Sequence, residues 1–102
     1  METIDKKRFY ELKESKETFI LQFSAAWCGP CRTLTPILEN VADSELVKVY
    51  KFDISDDHEF SKEMSITSIP HVKFFKEGEE IASKIGLVQR EFYEEQTRLL
   101  KS

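Results

Sequence analysis

The chain is predicted to fold as an α/β domain, a central mixed β-sheet flanked by helices on both faces. Three observations carry that prediction. Strand-length apolar runs alternate with segments of helical periodicity over the first two-thirds of the chain. Two later runs follow each other directly across Lys76-Glu77-Gly78-Glu79, a hairpin signal. A helical segment then closes the chain. Helices between strands imply parallel crossovers, and the hairpin adds an antiparallel pair.

The elements follow in order. Thr3-Ile4 can add a vestigial first strand, and Asp5 can cap a helix carrying Phe9, Tyr10 and Leu12 to about Glu14. Thr18 to Ser24 is β-branched and aromatic with one polar interruption, Gln22, and reads as a buried strand. A helix is expected from about Gly29 to Ala42, with Pro30 in its first turn, where a missing N–H costs nothing. Its apolar positions are Leu34, Ile37, Leu38 and Val41, and Pro36 inside it removes a backbone donor. Val47 to Ile54 is a second strong strand, and Asp56 and Asp57 can open a short helix through Phe60 and Met64. Ile69-Pro70 leads into a strand over Val72 to Phe75, with Glu80 to Ile85 as its hairpin partner. From Gln89 to Lys101, Phe92, Leu99 and Leu100 are expected near one helix face, with Tyr93 and Gln96 at its edge.

With 102 residues, 40% hydrophobic and 33% charged, the chain fits one globular domain spanning 1–102. A net charge of -4 without a basic block argues against nucleic acid or an anionic membrane as partner. The charged N-terminus has no apolar run behind it to serve as a secretory signal, and no stretch nears the roughly 18 apolar residues of a membrane helix. A cytoplasmic monomer is the expectation.

The chemistry is concentrated in Trp27-Cys28-Gly29-Pro30-Cys31, which holds the only two cysteines and falls on a strand-to-helix turn. At the helix start, unpaired N–H groups and the helix dipole favour a Cys28 thiolate, while Cys31 lies one turn further in and more buried. Such a pair can exchange disulfides: Cys28 attacks, and Cys31 resolves the mixed disulfide. Two other readings compete. A structural zinc site needs four ligands, and the remaining candidates, His58 and His71, have twelve residues between them rather than three to five. Two buried core cysteines would be poorly served by Gly-Pro between them. No metal site is expected.

The motif, Ile69-Pro70 before a strand, and Phe75-Lys76-Glu77-Gly78-Glu79 between the last strands resemble the thioredoxin family along nearly the whole chain. That resemblance implies a thioredoxin fold and a protein-disulfide reductase without bound cofactor. Its electrons would come from NADPH through a separate reductase, thioredoxin reductase. Implied acceptors are ribonucleotide reductase, peroxiredoxins and methionine sulfoxide reductases. Cys28 would be the attacking and Cys31 the resolving thiol, Trp27 the flanking indole beside the site, and Pro70 a cis-proline against the pair. The Ile69 backbone would pair with an extended substrate segment. Gly29, Pro30, Ile69, Gly86 and Leu87 would form the apolar contact surface. Two other roles are compatible with the same fold: a more oxidising dithiol oxidase or isomerase, and a non-catalytic binding subunit of a larger enzyme.

The chain departs from the family where a buried aspartate is usual six positions before the first cysteine; here it is Gln22. An amide cannot accept the proton of the resolving thiol. Loss of a buried negative charge also eases Cys31 ionisation and favours a more oxidising couple. Lys51, the usual partner of that aspartate, is expected as a desolvated lysine without its counter-ion, with Asp53 a replacement partner or an ordinary strand-end acid. Ser24 stands where a tryptophan is common, and Arg32 can add positive potential near the sulfurs. His71, after the proline, reads as a strand histidine with its hydrogen bonds met, or as a modulator of the thiols if close to them. His58 reads as a solvated helix residue. Because the missing base is expected to outweigh the eased ionisation, Gln22→Asp should speed turnover in a disulfide-reduction assay. Equal or slower turnover would count against that reading.

Overall fold

The computed structural model describes residues 1–102. The elements are β1 (Glu2–Thr3), α1 (Lys6–Glu14), β2 (Phe19–Ser24), α2 (Gly29–Ser44), β3 (Lys48–Asp53), α3 (His58–Glu63), β4 (His71–Lys76), β5 (Glu79–Ile85) and α4 (Arg90–Leu100). The five strands form one sheet in the order β1-β3-β2-β4-β5. β3 runs parallel to β1 and β2, whereas β4 is antiparallel to both β2 and β5. The expected mixed sheet is therefore present. β1 sits one residue earlier than predicted, although the Ile4 amide still donates to the Lys51 carbonyl at 2.9 Å.

Alternation along the strands sorts side chains onto two faces. Phe19, Leu21 and Phe23 of β2 join Tyr50, Phe52 and Phe75 under α1 and α3, which contribute Phe9, Leu12 and Phe60. Ile20 of β2 faces the other way, with Val72 and Phe74, onto Leu34, Leu38 and Val41 of α2 and Tyr93 and Leu100 of α4. The first face is unusually aromatic. Phe60 alone lies 5.0 Å from Phe52 and 5.3 Å from Phe9, ring centre to ring centre.

Short polar side chains start the first and third helices. Asp5 accepts from the Arg8 amide at 2.8 Å, and Asp57 rather than Asp56 caps α3 through the Phe60 amide at 3.0 Å. α2 continues through Pro36 and two residues past Ala42. The β4–β5 turn places Glu77 and Gly78 both at positive φ, as a two-residue hairpin requires. A Cβ on Gly78 would lie 2.5 Å from the Lys13 carbonyl oxygen, so the turn also needs glycine for space.

Two expectations need correction. In α4 the buried stripe is Tyr93, Thr97 and Leu100, while Leu99 is exposed and Phe92 half-buried. Tyr93 wins the interior because its hydroxyl reaches the Gly86 carbonyl at 3.3 Å while its ring packs near Phe74. The second concerns His71, which is buried, with neither ring nitrogen hydrogen-bonded. It points to the aromatic face, 6.5 Å from the Phe23 ring. The neighbouring polar groups, Lys73 and Glu80, are paired with each other at 2.9 Å. Burial, reinforced by the Lys73 charge, holds the His71 pKa below its ordinary value of 6.5.

Two outcomes follow from this packing. Phe60→Ala should cost about 3–5 kcal/mol in urea unfolding, the range for emptying a buried aromatic site. For His71, the folded state refuses a proton that the unfolded chain accepts, so stability should fall as pH drops below about 6.5. His71→Leu should remove that part of the decline, making the variant more stable relative to wild type at pH 5.5 than at pH 7. An equal difference at both pH values would show that His71 titrates normally.

Candidate active site

β2 ends at Ser24, and a short loop delivers Cys28 to the start of α2 as its N-cap. The Cys31 amide donates to Cys28 Sγ at 3.3 Å, so the first sulfur already serves as the helix's capping acceptor. Cys28 and Cys31 are joined in a disulfide with their Cα atoms 5.3 Å apart. Both are buried, Cys31 the more so, and they pack with Ala25 beside Ile54 and Ile69. Arg32 folds back over the loop, its guanidinium donating to the Ala26 carbonyl at 2.7 Å.

Pro70 follows Ile69 through a cis peptide bond, and its carbonyl accepts from the Gly86 amide at 2.8 Å. That bond ties the end of β5 to the proline. Gly86 has a φ of +89°, a conformation that favours glycine. Neither backbone group of half-buried Ile69 is taken by an intramolecular hydrogen bond. Trp27 is 70% exposed. With Ile54, Ile66 and Ile69 it lines a groove of about 460 Å³, edged by His58 and Lys62 of α3. His58 is thus an exposed helix residue that also edges the groove. Leu87 is about half exposed beyond Gly86.

On the other side of α2's first turn, Gln22 is fully buried, and its amide is committed at both ends. Nε2 donates to the Cys31 carbonyl at 3.2 Å, and Oε1 accepts from the Thr35 hydroxyl at 3.1 Å. The same hydroxyl lies 2.9 Å from the Cys31 carbonyl. Thr35 was not among the expected site residues. Its spacing was informative, since a helical threonine can turn its hydroxyl back to the carbonyl four residues earlier.

Lys51 pairs in register with Gln22 but is only half-buried, in an open polar cleft shared with Cys31, Thr35, Asp53 and Asp56. It is therefore not the desolvated lysine expected. Asp53 forms no ion pair with it; one carboxylate oxygen instead accepts from the Ser55 amide at 2.8 Å. The turn after β3 claims that acid. No group of three or more His, Cys, Asp and Glu side chains is arranged to hold a metal ion. No helix is long and apolar enough to cross a membrane.

Such a site can do one kind of chemistry directly. A disulfide closed across the first turn of a helix is opened by a thiolate and reclosed by its own second cysteine, transferring two electrons without a bound cofactor. Comparison with known proteins agrees. The family profile described as Thioredoxin matches residues 1–97. The chain is similar to a thioredoxin of Chlamydia pneumoniae, 44% identical over 75 residues that cover 72% of each chain. It is 42% identical over 83 residues to a thioredoxin of Rickettsia felis, covering 78% of each. In structure it resembles a mutant thioredoxin from Halobacterium salinarum, with a TM-score of 0.89 at 20% identity, covering 100% of this chain and 90% of that one. The chain belongs to the thioredoxin family, and its Cys28–Cys31 pair makes it a protein dithiol–disulfide oxidoreductase.

Proposed function

We propose that the protein reduces disulfides in other proteins through Cys28 and Cys31 in distinct roles. The carrying observation is that Cys28 Sγ sits at the N-terminus of α2 opposite the Cys31 amide, with the exposed groove of Trp27, Ile54 and Ile69 beside it. A thiolate formed on Cys28 is stabilised there by the helix dipole and that amide. Cys28 attacks one sulfur of a substrate disulfide, and the other leaves as a thiolate that takes a proton. Cys31 then gives up its proton and attacks Cys28 Sγ. The second substrate sulfur leaves, and the Cys28–Cys31 disulfide closes.

The substrate segment is held by Trp27, Gly29, Pro30, Ile69, Pro70 and Gly86. The unpaired Ile69 backbone supports this reading, since it offers a donor and an acceptor to an extended strand. Gln22 and Lys51 support the resolving cysteine from the opposite side. Two electrons and two protons from a separate reductase restore the dithiol, with NADPH as the ultimate donor. Ribonucleotide reductase, peroxiredoxins and methionine sulfoxide reductases are the acceptors in view. The working state is a cytoplasmic monomer.

Insulin reduction driven by dithiothreitol tests the assignment of roles. Cys28→Ser should fall to the rate without protein. Cys31→Ser should accumulate a covalent adduct with substrate, visible by mass and released by excess thiol. An adduct on Cys28→Ser in place of Cys31→Ser would reverse the assignment, and a wild type no faster than the double serine variant would point to a binding role.

A further inference from the structure

We infer that Thr35 is a positioning residue for the resolving step, acting through Gln22 on the ionisation of Cys31. The inference rests on the exchange chemistry above and deepens it. Gln22 is fully buried on the sheet face beneath the first turns of α2, so each end of its amide needs a partner. The Cys31 carbonyl can only accept, and at 3.2 Å it selects the NH₂ end. The Thr35 hydroxyl has one proton, shared in a three-centre bond between Oε1 at 3.1 Å and the Cys31 carbonyl at 2.9 Å, and it is the only donor that faces Oε1. Thr35 therefore fixes which way the amide points: donors toward Cys31, acceptor away.

The consequence is electrostatic. A carboxylate at position 22 would place negative charge beside Cys31 and oppose its thiolate. The held amide does the reverse, placing its positive end on the carbonyl of the residue that must ionise. The Thr35 proton, shared with Gln22 Oε1, leans on the same carbonyl at 2.9 Å, so the negative end of that peptide dipole faces the Gln22 amide and a part of the hydroxyl's proton. A neutral amide cannot itself take the Cys31 proton. The proton departs through the polar cleft that Cys31 and Thr35 line with Arg32, Lys51, Asp53 and Asp56. These four carry the charged groups of that cleft, on α2, β3 and the turn after it.

Without the hydroxyl, Gln22 loses its anchor and the bias toward the Cys31 anion weakens. One neutral hydrogen bond contributes about 1 kcal/mol, which corresponds to roughly a fivefold change in an ionisation equilibrium. The test is the pH dependence of resolution. A mixed disulfide between Cys28 and a thionitrobenzoate reporter is formed on the dithiol protein, and its release by Cys31 is followed by stopped flow. Thr35→Val should release the reporter roughly fivefold more slowly than wild type at pH 7. The deficit should shrink as pH rises and the ionised fraction of Cys31 grows in both proteins. Thr35→Ser, which keeps the hydroxyl, should follow the wild-type profile.

A deficit of the same size at every pH would overturn the proposal, since misplacement of the sulfur is not cured by ionisation. So would a serine variant as slow as valine, or a valine variant with the wild-type profile. Should Thr35→Val fold poorly, Gln22→Leu removes the same link from the other side, and an unchanged pH profile there overturns it equally. Failure of the exchange chemistry itself would look different, because no mixed disulfide would form on the wild type.

Discussion

Everything in this molecule is referred to β2. All six residues from Phe19 to Ser24 are buried, and the strand is hydrogen-bonded on both edges, parallel to β3 and antiparallel to β4. A strand so enclosed cannot slip by one residue without exchanging its two faces. Phe19, Leu21 and Phe23 would leave the aromatic core, and Ile20 would enter it. The register that keeps the phenylalanine-rich core on one face of the sheet is thus the same one that places Gln22 under α2. Stability and site geometry are set by a single constraint.

From that strand the site is assembled by three connections rather than by one motif. The loop after Ser24 brings Cys28 to the head of α2. β3, in register with β2, lines the cleft beside Cys31 with Lys51 and Asp53. β4 begins immediately after Pro70, and the Gly86 amide holds the end of its hairpin partner against the proline carbonyl. The redox pair therefore sits where segments remote in sequence converge, with an apolar groove on one side and a polar cleft on the other.

Much of this was legible in the sequence because the strongest signals are local. The β-branched and aromatic run of β2, Pro30 at a helix start, Asp5 as a cap and the Glu77-Gly78 turn each declare their own conformation. What was not legible depends on partners supplied by the fold. Phe92 and Tyr93 are adjacent and both aromatic, and only the position of the Gly86 carbonyl makes Tyr93 the buried one. His71 was expected to have its bonds met, but the polar residues near it, Lys73 and Glu80, are engaged with each other. Lys51 and Asp53 share a strand face, yet Asp53 is claimed by the turn that follows. Gln22 was marked as unusual from its position alone; that both ends of its amide were engaged required the placement of Thr35.

The capping role of Cys28 has one more consequence. Most helices are started by an oxygen whose chemistry never changes, whereas α2 is started by a sulfur. In the closed disulfide that sulfur already faces the Cys31 amide. In the roles proposed for the two cysteines, the charge that falls on Cys28 when the bond opens meets a donor already in place, so the helix start does not rearrange to receive it. The beginning of α2 and the reacting atom are one object, and the helix is best held when the sulfur is ready to react.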